Sequence, residues 1–182
     1  MQDLQSFNNS DYKVGAGSFK QVLWYFTSII FFKSPFHFYA LKRFLLKVFG
    51  AKVGNGVIIK PYVNIKYPWK LTLGNHIWIG EQVWIDNLDD VIIRDNCCLS
   101  QGVMLLCGNH NYKKETFDLF TGNIILEQGV WVCAKSVIGP NTRLGENVIV
   151  KPMSLVTSNL ESNKIYGGNP AMLQGERKFE IK

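Results

Sequence analysis

The sequence predicts an all-β solenoid: a parallel β-helix of six-residue repeats, with a helical cap before it and a loop protruding from it. Three observations predict this class: aliphatic residues recur every six positions, glycine often follows them, and the recurrence has one long interruption. A period of six suits neither an amphipathic helix, with its period of about 3.6, nor one long strand, with its period of about 2. A period of six is typical instead of short strands that are joined by tight turns, with each coil paired to the coils above and below it.

The repeat has fifteen register positions, and every one is Ile, Leu or Val. The first three triplets begin at positions 53, 73 and 93, which predicts coils of 20 residues with three faces and a short bulge. From position 126 onward each coil takes 18 residues. Glycine follows a register residue at five places, and turn sequences such as GPN and GEN fall where corners are expected. The fifteen positions are Val53, Ile59, Ile65, Leu73, Ile79, Ile85, Ile93, Leu99, Leu105, Leu126, Val132, Ile138, Leu144, Val150 and Val156.

Residues 1–50 are expected to form an arm and a helical cap, because a solenoid must cover its open end. The first 17 residues indicate an extended or partly disordered arm. The apolar run 22–32 follows, and it is too short to span a bilayer, which needs about 20 residues.

A second helix is predicted to begin at Ser34 and Pro35, which suit the cap and the first helical position, and to stop at Gly50. Two roles stay open for this helix: it covers the end of the β-helix, or it lies on an anionic membrane. The second role rests on three basic residues within one arc of the helix, namely Lys42, Arg43 and Lys47.

The β-helix is predicted over residues 51–164, with a loop at 107–122 and a C-terminal tail at 165–182. The interval between Leu105 and Leu126 is 21 residues where six would keep the register. Long loops in compact domains tend to carry function. Several aromatic residues predict that this loop packs against something, and one histidine lies near its start: Tyr112, Phe117, Phe120 and His110.

Composition leaves several partners open. The net charge of +6 suits a phosphate-bearing cofactor, a membrane surface or nucleic acid, or it is simply a basic solvated surface. Nucleic acid is not expected, because no zinc-finger spacing, phosphate loop or recognition-helix pattern occurs. The four cysteines form no CxxC pair and no secretory pattern opens the chain, so a cytoplasmic protein with reduced thiols is expected. Peripheral contact with the inner face of the cell membrane stays open.

Several segments resemble the hexapeptide-repeat acyltransferases. "YPWKLTLGNHIWIGEQVWI" and "GNHNY" resemble colanic-acid biosynthesis O-acetyltransferases, and "GVWVCAKSVIGPNTRLGENVIV" is similar to coils of maltose and galactoside acetyltransferases. "YGGNPAM" resembles the closing segment of the family, so the resemblance spans roughly residues 40–172. It implies a left-handed β-helix, acetyl-CoA as co-substrate, direct transfer to a sugar hydroxyl in surface glycan synthesis, and a homotrimer with sites between subunits. The acceptor is expected to be a sugar or a lipid-linked glycan.

The resemblance also assigns roles to individual residues. His110 matches the catalytic general base, a task that suits imidazole, whose reference pKa is about 6.5. Asn87, with Asp86 beside it, matches an acceptor-binding residue, and Asn111 follows the histidine where many relatives carry an acid. A carboxylate partner for the histidine would come from elsewhere, with Asp118 and Glu127 as candidates. The oxyanion donor and acetyl-CoA contacts are expected at Ala134, Lys151, Pro152, Thr157 and Arg177.

Rival interpretations stay open at this point. Serine and antibiotic acetyltransferases share the repeat, so a small acceptor is an alternative, as is a scaffold without activity. The γ-class carbonic anhydrases hold zinc with three histidines on the same fold, but the coil region here offers only His76 and His110, so no metal is expected. His76 and His37 are expected to be structural. Cys107 lies near the histidine, yet direct transfer gives a cysteine nucleophile no role.

Overall fold

A computed structural model describes residues 2–180 of the chain. Two α-helices, α1 (Ser18–Thr27) and α2 (Tyr39–Val48), precede the solenoid, and a π-helical turn (Ser28–Phe32) continues α1. Short 3₁₀ turns cover Leu4–Ser6 and Pro68–Lys70. The strands are β1 (Lys52–Val53), β2 (Ile58–Ile59), β3 (Asn64–Ile65), β4 (Leu71–Leu73), β5 (Trp78–Ile79), β6 (Trp84–Asp86), β7 (Val91–Ile93), β8 (Cys98–Leu99), β9 (Met104–Leu106), β10 (Gly108–His110), β11 (Leu119–Thr121), β12 (Ile124–Leu126), β13 (Trp131–Val132), β14 (Val137–Ile138), β15 (Thr142–Leu144), β16 (Ile149–Val150), β17 (Leu155–Val156), β18 (Lys164–Gly167) and β19 (Met172–Glu176).

Three parallel sheets form the faces of the solenoid. Sheet A has the order β1-β4-β7-β12-β15, sheet B β2-β5-β8-β13-β16-β18 with β19 added at its end, and sheet C β3-β6-β9-β14-β17. The register pairs Val53 with Leu73, Ile59 with Ile79, and so on through the coils. The six-residue spacing therefore predicted the strand register correctly, with five of the fifteen positions in each sheet.

The core is the column of side chains along the axis. All the register residues except half-buried Val53 are at most 2% exposed, so each coil buries three aliphatic side chains against those above and below. The glycines after them sit where coils approach closely. A Cβ added at Gly80 would lie 2.8 Å from the backbone carbon of Ser100 in the next coil, which explains why a larger residue does not fit there.

The first coil lacks a preceding coil, and side chains of the cap take its place. In the second coil the carbonyls of Ile77, Ile79 and Ile85 accept N–H groups from the coil before. The equivalent carbonyls of the first coil accept instead from side chains: Trp24 Nε1 bonds Ile65 O at 2.9 Å, Arg43 Nη1 bonds Val57 O at 2.9 Å, and Lys42 Nζ bonds Ile59 O at 3.3 Å. These side chains therefore provide hydrogen-bond donors for backbone carbonyls that the edge of the sheet would otherwise leave unpaired.

Helix α2 is turned with part of its basic arc inward. Lys42 is fully buried and Arg43 is half-buried, so only Lys47 of the predicted arc is exposed. The expectation that all three face a membrane is wrong, because two of them serve the open edge. Burial lowers the pKa of Lys42 to about 8.

The start of the second helix also differs from the prediction. Helix α2 begins at Tyr39, and residues 34–38 are not helical. The carbonyl of Ser34 accepts the N–H of Tyr62 at 3.3 Å, so this segment is engaged at the edge of the first coil. The predicted stop is confirmed: Gly50 has φ +99°, which favours glycine.

Two further features bound the solenoid. Strand β18 pairs in parallel with β16, so the coil continues to Gly167, three residues beyond the predicted boundary at 164. Strand β19 then returns antiparallel along β18. Within residues 2–180, each helix is too short or too polar to cross a bilayer.

Candidate active site

The loop at 107–122 forms a β-hairpin that leaves the corner between sheets C and A. Strands β10 and β11 pair antiparallel, with His110 opposite Leu119 at the outer end of the paired segment. Gly108 begins the hairpin, and a Cβ there would overlap the side chain of Leu88. The interruption seen in the sequence is therefore an ordered extension of the coil.

His110 is held by both its ring nitrogen and its ring face. Its Nδ1 lies 2.8 Å from the carbonyl oxygen of Phe117, and the two rings stack with centroids 4.3 Å apart. Because a carbonyl oxygen only accepts hydrogen bonds, this contact requires the proton on Nδ1. In the neutral ring the lone pair is then on Nε2, the arrangement that a general base needs.

The orienting partner of His110 is thus a backbone carbonyl, and neither predicted carboxylate candidate fills that role. Asp118 accepts hydrogen bonds from Lys114 and Thr116, and these bonds lower its pKa. Glu127 lies in the coil and pairs with two arginines, Arg94 and Arg143. Phe117 itself has φ +51°, an unusual conformation for a bulky residue, and it is found where the carbonyl meets the histidine.

The N-terminal arm lies across this hairpin. The N–H of Asp3 donates to the carbonyl of Glu115 at 2.9 Å, and the ring of Phe7 meets the His110 ring edge-on at 5.5 Å. Further along the arm, the hydroxyl of Tyr12 donates to Leu88 O at 2.7 Å, and burial raises the pKa of Tyr12. Sequence reasoning missed Phe7, because no local pattern links a residue of the arm to a histidine 103 positions later.

Asn87 is placed differently from the expected acceptor-binding residue. Its side chain is fully buried, with Oδ1 accepting from Tyr67 N at 2.9 Å and Nδ2 donating to Tyr67 O at 2.6 Å. Both polar ends of the amide are therefore occupied by the backbone of the preceding coil. Direct contact with an acceptor would require breaking these bonds, so the observed role of Asn87 is to hold Tyr67.

Asp86 and Asn111 are half-buried, and each lines a cavity. Asp86 lines a cavity of about 650 Å³ beside α1, and its Oδ1 is 3.0 Å from Lys66 Nζ, in an ion pair whose geometry is not that of a hydrogen bond. Asp86 is also opposite Leu106 in the register, in the corner from which the hairpin leaves. Asn111 lines a second cavity, of about 560 Å³, together with His110.

The residues expected at the oxyanion and at acetyl-CoA do not gather around His110. Ala134 lies in the corner between sheets B and C, and its N–H has no acceptor among residues 2–180, as is also true of Gln101 in the coil before. Lys151 and Pro152 are exposed in the same corner of the next coil. Thr157 follows β17 and so lies on the other side of sheet C.

Arg177 lies apart from all of these. Its Nη1 donates to the carbonyls of Gly129 and Asn147, at 2.8 and 3.3 Å, in the corner between sheets A and B. The guanidinium also stacks over Phe179, 4.6 Å from the ring centroid. The expected contact with acetyl-CoA is therefore not supported, because Arg177 ties the tail to a different corner.

The remaining candidates have structural surroundings. Cys107 is fully buried, and burial raises its pKa to about 12, which suppresses the thiolate that a nucleophile needs. His76 occupies a corner with φ +55°, and its N–H bonds the carbonyl of Asn55. Over the described part of the chain, no group of three His, Cys, Asp or Glu side chains could hold a metal ion.

Comparisons with known proteins define the class. A hexapeptide-repeat containing acetyltransferase of Vibrio cholerae has a TM-score of 0.80 at 16% identity, over 91% of this chain and 96% of that one. A galactoside acetyltransferase in complex with coenzyme A also has a TM-score of 0.80, at 21% identity, over 88% and 82% of the two chains. The fold is thus the predicted left-handed parallel β-helix.

Sequence similarity carries the assignment further. WcaF of Escherichia coli (strain K12) is 34% identical over 178 residues, which are 97% of this chain and 98% of the relative. The chain therefore belongs to the hexapeptide-repeat acetyltransferase family, as predicted, although no family model matches it. The name of WcaF assigns it, provisionally, as an acetyltransferase of colanic acid biosynthesis. Galactoside O-acetyltransferase of the same organism is 25% identical over 129 residues, 69% of this chain and 64% of that protein.

Proposed function

We propose that this enzyme transfers an acetyl group from acetyl-CoA to a sugar hydroxyl in the synthesis of a surface glycan. The observation that carries the proposal is the 2.8 Å contact between His110 Nδ1 and Phe117 O, which leaves Nε2 as the basic atom. The sugar acceptor is supported by the names of two relatives, which refer to colanic acid and to galactosides. Acetyl-CoA is supported by two similar structures, one described in complex with it and one in complex with coenzyme A.

The chemical step follows from the tautomer of His110. Nε2 takes the proton of the acceptor hydroxyl as its oxygen attacks the carbonyl carbon of the thioester. The carbonyl of Phe117 stabilises the resulting imidazolium, because Nδ1–H keeps its acceptor throughout. When the C–S bond breaks, the ring returns its proton to the sulfur, so the products are an acetyl ester and a free thiol.

The corner at Ala134 suits the other half of the reaction. Its unpaired N–H is a donor for the oxyanion that forms on the thioester carbonyl. Lys151, exposed one coil further, offers a cation for the phosphates of coenzyme A. Pro152 contributes only surface contact, because it has no N–H.

A second copy of the chain is needed to bring these groups together. His110 leaves the corner after sheet C, whereas Ala134 lies in the corner before it, so one face of six residues separates them by roughly 15–20 Å in a single protomer. A site between adjacent subunits of a trimer removes this distance. Exposed tryptophans on the outer faces of sheets B and C offer apolar contacts for such packing: Trp78, Trp84 and Trp131.

The function is tested by release of free thiol from acetyl-CoA in the presence of candidate acceptors. The panel contains sugar nucleotides, lipid-linked oligosaccharides, free sugars, serine and an antibiotic. We expect thiol release and a labelled acetyl ester with a sugar-containing acceptor. Turnover with only serine or the antibiotic would contradict the proposal, as would absence of coenzyme A binding by calorimetry.

The roles of Ala134 and of a second subunit can be tested together. Ala134→Pro should fold normally, since Pro61 and Pro152 occupy the same corner position in other coils, and it removes only the N–H. We expect turnover to fall by about 10²–10³. Gln101→Pro, at the equivalent corner of the preceding coil, is the matched control and should keep parent activity.

Mixing supplies the test of subunit assembly. If His110 and Ala134 meet across an interface, refolding His110→Ala together with Ala134→Pro in equal amounts should restore activity, up to about a quarter of the parent level in a random trimer. No restoration, while light scattering shows mixed trimers, would place both residues in one protomer's site.

A further inference from the structure

The two helices of the cap expose apolar stripes that nothing in the described chain covers. Along α1 and the π-helical turn the exposed stripe has the spacing of one helix face, and along α2 a second stripe lies opposite its buried side. Twelve of the 23 exposed large hydrophobic residues fall within residues 19–48. They are Phe19, Val22, Leu23, Tyr25, Phe26, Ile29, Ile30, Phe36, Phe38, Leu41, Phe44 and Val48.

Helix α2 has apolar residues on both its inner and its outer side, since Leu46 is fully buried on the inner side. Its inner side contains the cation Lys42, whose amine bonds backbone carbonyls, while its outer side presents Leu41, Phe44 and Val48, with Phe44 62% exposed. A helix on a water-facing surface normally has charged or polar residues on its outer side. The outer face of α2 is therefore suited to an apolar medium.

The distribution of charged residues indicates that this apolar medium carries negative charge at its surface. No Asp or Glu occurs in residues 12–80, where ten Lys and Arg residues occur, so this segment has a formal charge of +10 and the rest of the chain −4. Lys33 and Lys47 are exposed on or beside the helices, and neither pairs with a carboxylate among residues 2–180. Exposed cations beside an apolar helical face are the features by which interfacial helices bind anionic lipid.

Position separates the outer side of α2 from the faces available for trimer packing. On α1, Val22, Tyr25 and Phe26 share a cavity with Trp84 of sheet C, so the separation holds there for the rest of the stripe, which includes Phe19. Lys42 and Arg43 of α2 reach the carbonyls at the open edge of the first coil, so the outer side of α2 points away from the coils. Solenoids packed side by side through sheets B and C would leave that end free. A bilayer can cover it without displacing a neighbouring subunit.

We infer that the outer faces of α1 and α2 dock on an anionic lipid bilayer, with the apolar stripes in the interfacial region and Lys33 and Lys47 at the headgroup phosphates. This inference is independent of the acceptor and of His110. Lys33 and Lys47 thus take the place of Lys42 and Arg43 as the predicted lipid contacts, because Lys42 and Arg43 bind backbone carbonyls inside the protein. It also brings the enzyme to the surface where a lipid-linked acceptor would be found.

The test is flotation of the full-length protein with vesicles of equal parts phosphatidylglycerol and phosphatidylcholine. We expect binding that weakens in pure phosphatidylcholine and at high salt. Lys33→Gln with Lys47→Gln should weaken binding about five-fold for each lysine removed. Phe19→Ser with Phe44→Ser should weaken it about ten-fold or more, because two apolar anchors are lost. Lys135→Gln with Lys178→Gln, an equal change of charge elsewhere, is the matched control and should bind like the parent.

Three results would overturn the inference. The parent protein fails to float with the anionic vesicles, or the control pair weakens binding as much as the lysine pair of the cap. Alternatively, the phenylalanine pair lowers the molecular mass measured by light scattering without lipid, which would make this face an interface between copies of the chain. The lysine pair leaves the packed core untouched, so it remains informative if the phenylalanine variants fold poorly.

Discussion

The coils and the two segments that depart from them, the cap and the hairpin, are stabilised in different ways. In the coils every strand repeats the bonds of its neighbours, with aliphatic residues stacked at intervals of 20 or 18 positions, apart from the step of 33 positions that contains the hairpin. In the cap and the hairpin, single atoms have roles that no other atom duplicates, such as Trp24 Nε1 on Ile65 O and His110 Nδ1 on Phe117 O. The coils therefore form a repeating frame, and the two segments that depart from it make contacts that occur only once.

The largest contrast is expected between two histidines, one in the hairpin and one in a coil. His110→Ala should lower turnover by about 10²–10⁴, since a positioned general base is lost, while circular dichroism and coenzyme A binding stay unchanged. His76→Asn is the matched control, because Asn96 and Asn147 occupy the same corner position with the same positive φ. Near-parent transfer by His110→Ala to the true acceptor would refute its assignment as the base.

Two tryptophans give the next contrast, in stability. Trp24→Phe keeps a ring against Phe32 and Phe49 but removes the donor to Ile65 O, so the free energy of unfolding should fall by about 1–3 kcal/mol. Trp78→Phe keeps an aromatic ring on the outer face of sheet B, and it removes no hydrogen bond to residues 2–180, so it should alter the free energy of unfolding by less than about 0.5 kcal/mol. Denaturant titration measures both, and equal losses would mean that the edge carbonyl finds another donor.

Asn87 tests whether a coil residue also serves the acceptor. Asn87→Ala removes both bonds to Tyr67 and should lower the free energy of unfolding by about 1–3 kcal/mol. Asn123→Ala, at an exposed position of the following corner, should leave stability unchanged. A raised KM for the acceptor with unchanged stability would restore the direct acceptor contact expected from the sequence.

The smallest effect is expected from pH at the open edge. The folded-state pKa of Lys42, about 8, lies below the ordinary value of 10.5, so between these values the unfolded chain binds the proton more strongly than the folded chain. The stability of the parent should therefore rise, relative to Lys42→Met, as pH increases from 8 to 10, by on the order of 1 kcal/mol. Thermal unfolding of both proteins across this range measures it, and parallel curves would mean that Lys42 titrates normally.

The sequence predicted the structure correctly in the coils, where the same spacing of aliphatic residues recurs. The register of all three sheets, the loop and its histidine follow from the positions of aliphatic residues, because each partner lies one coil away. It failed where a contact joins distant segments only once, as between Phe7 and His110. The helical arc of Lys42, Arg43 and Lys47 shows which residues share a side, but not whether that side faces water or the core.

The same side-chain donors at the first coil also fix the length of the solenoid. An uncovered β-helix end presents unpaired backbone groups with which an uncovered end of another copy could pair, and copies with both ends uncovered could extend this pairing into a filament. At the far end the Leu155 N–H donates to Gly168 O, and Leu155 O accepts the N–H of Ala171, so the returning chain covers that edge as well. Non-repeating sequence thus ends the repeat on both sides. Removal of residues 1–50 would uncover one end only, so two copies should pair through that end and stop there, without forming a filament.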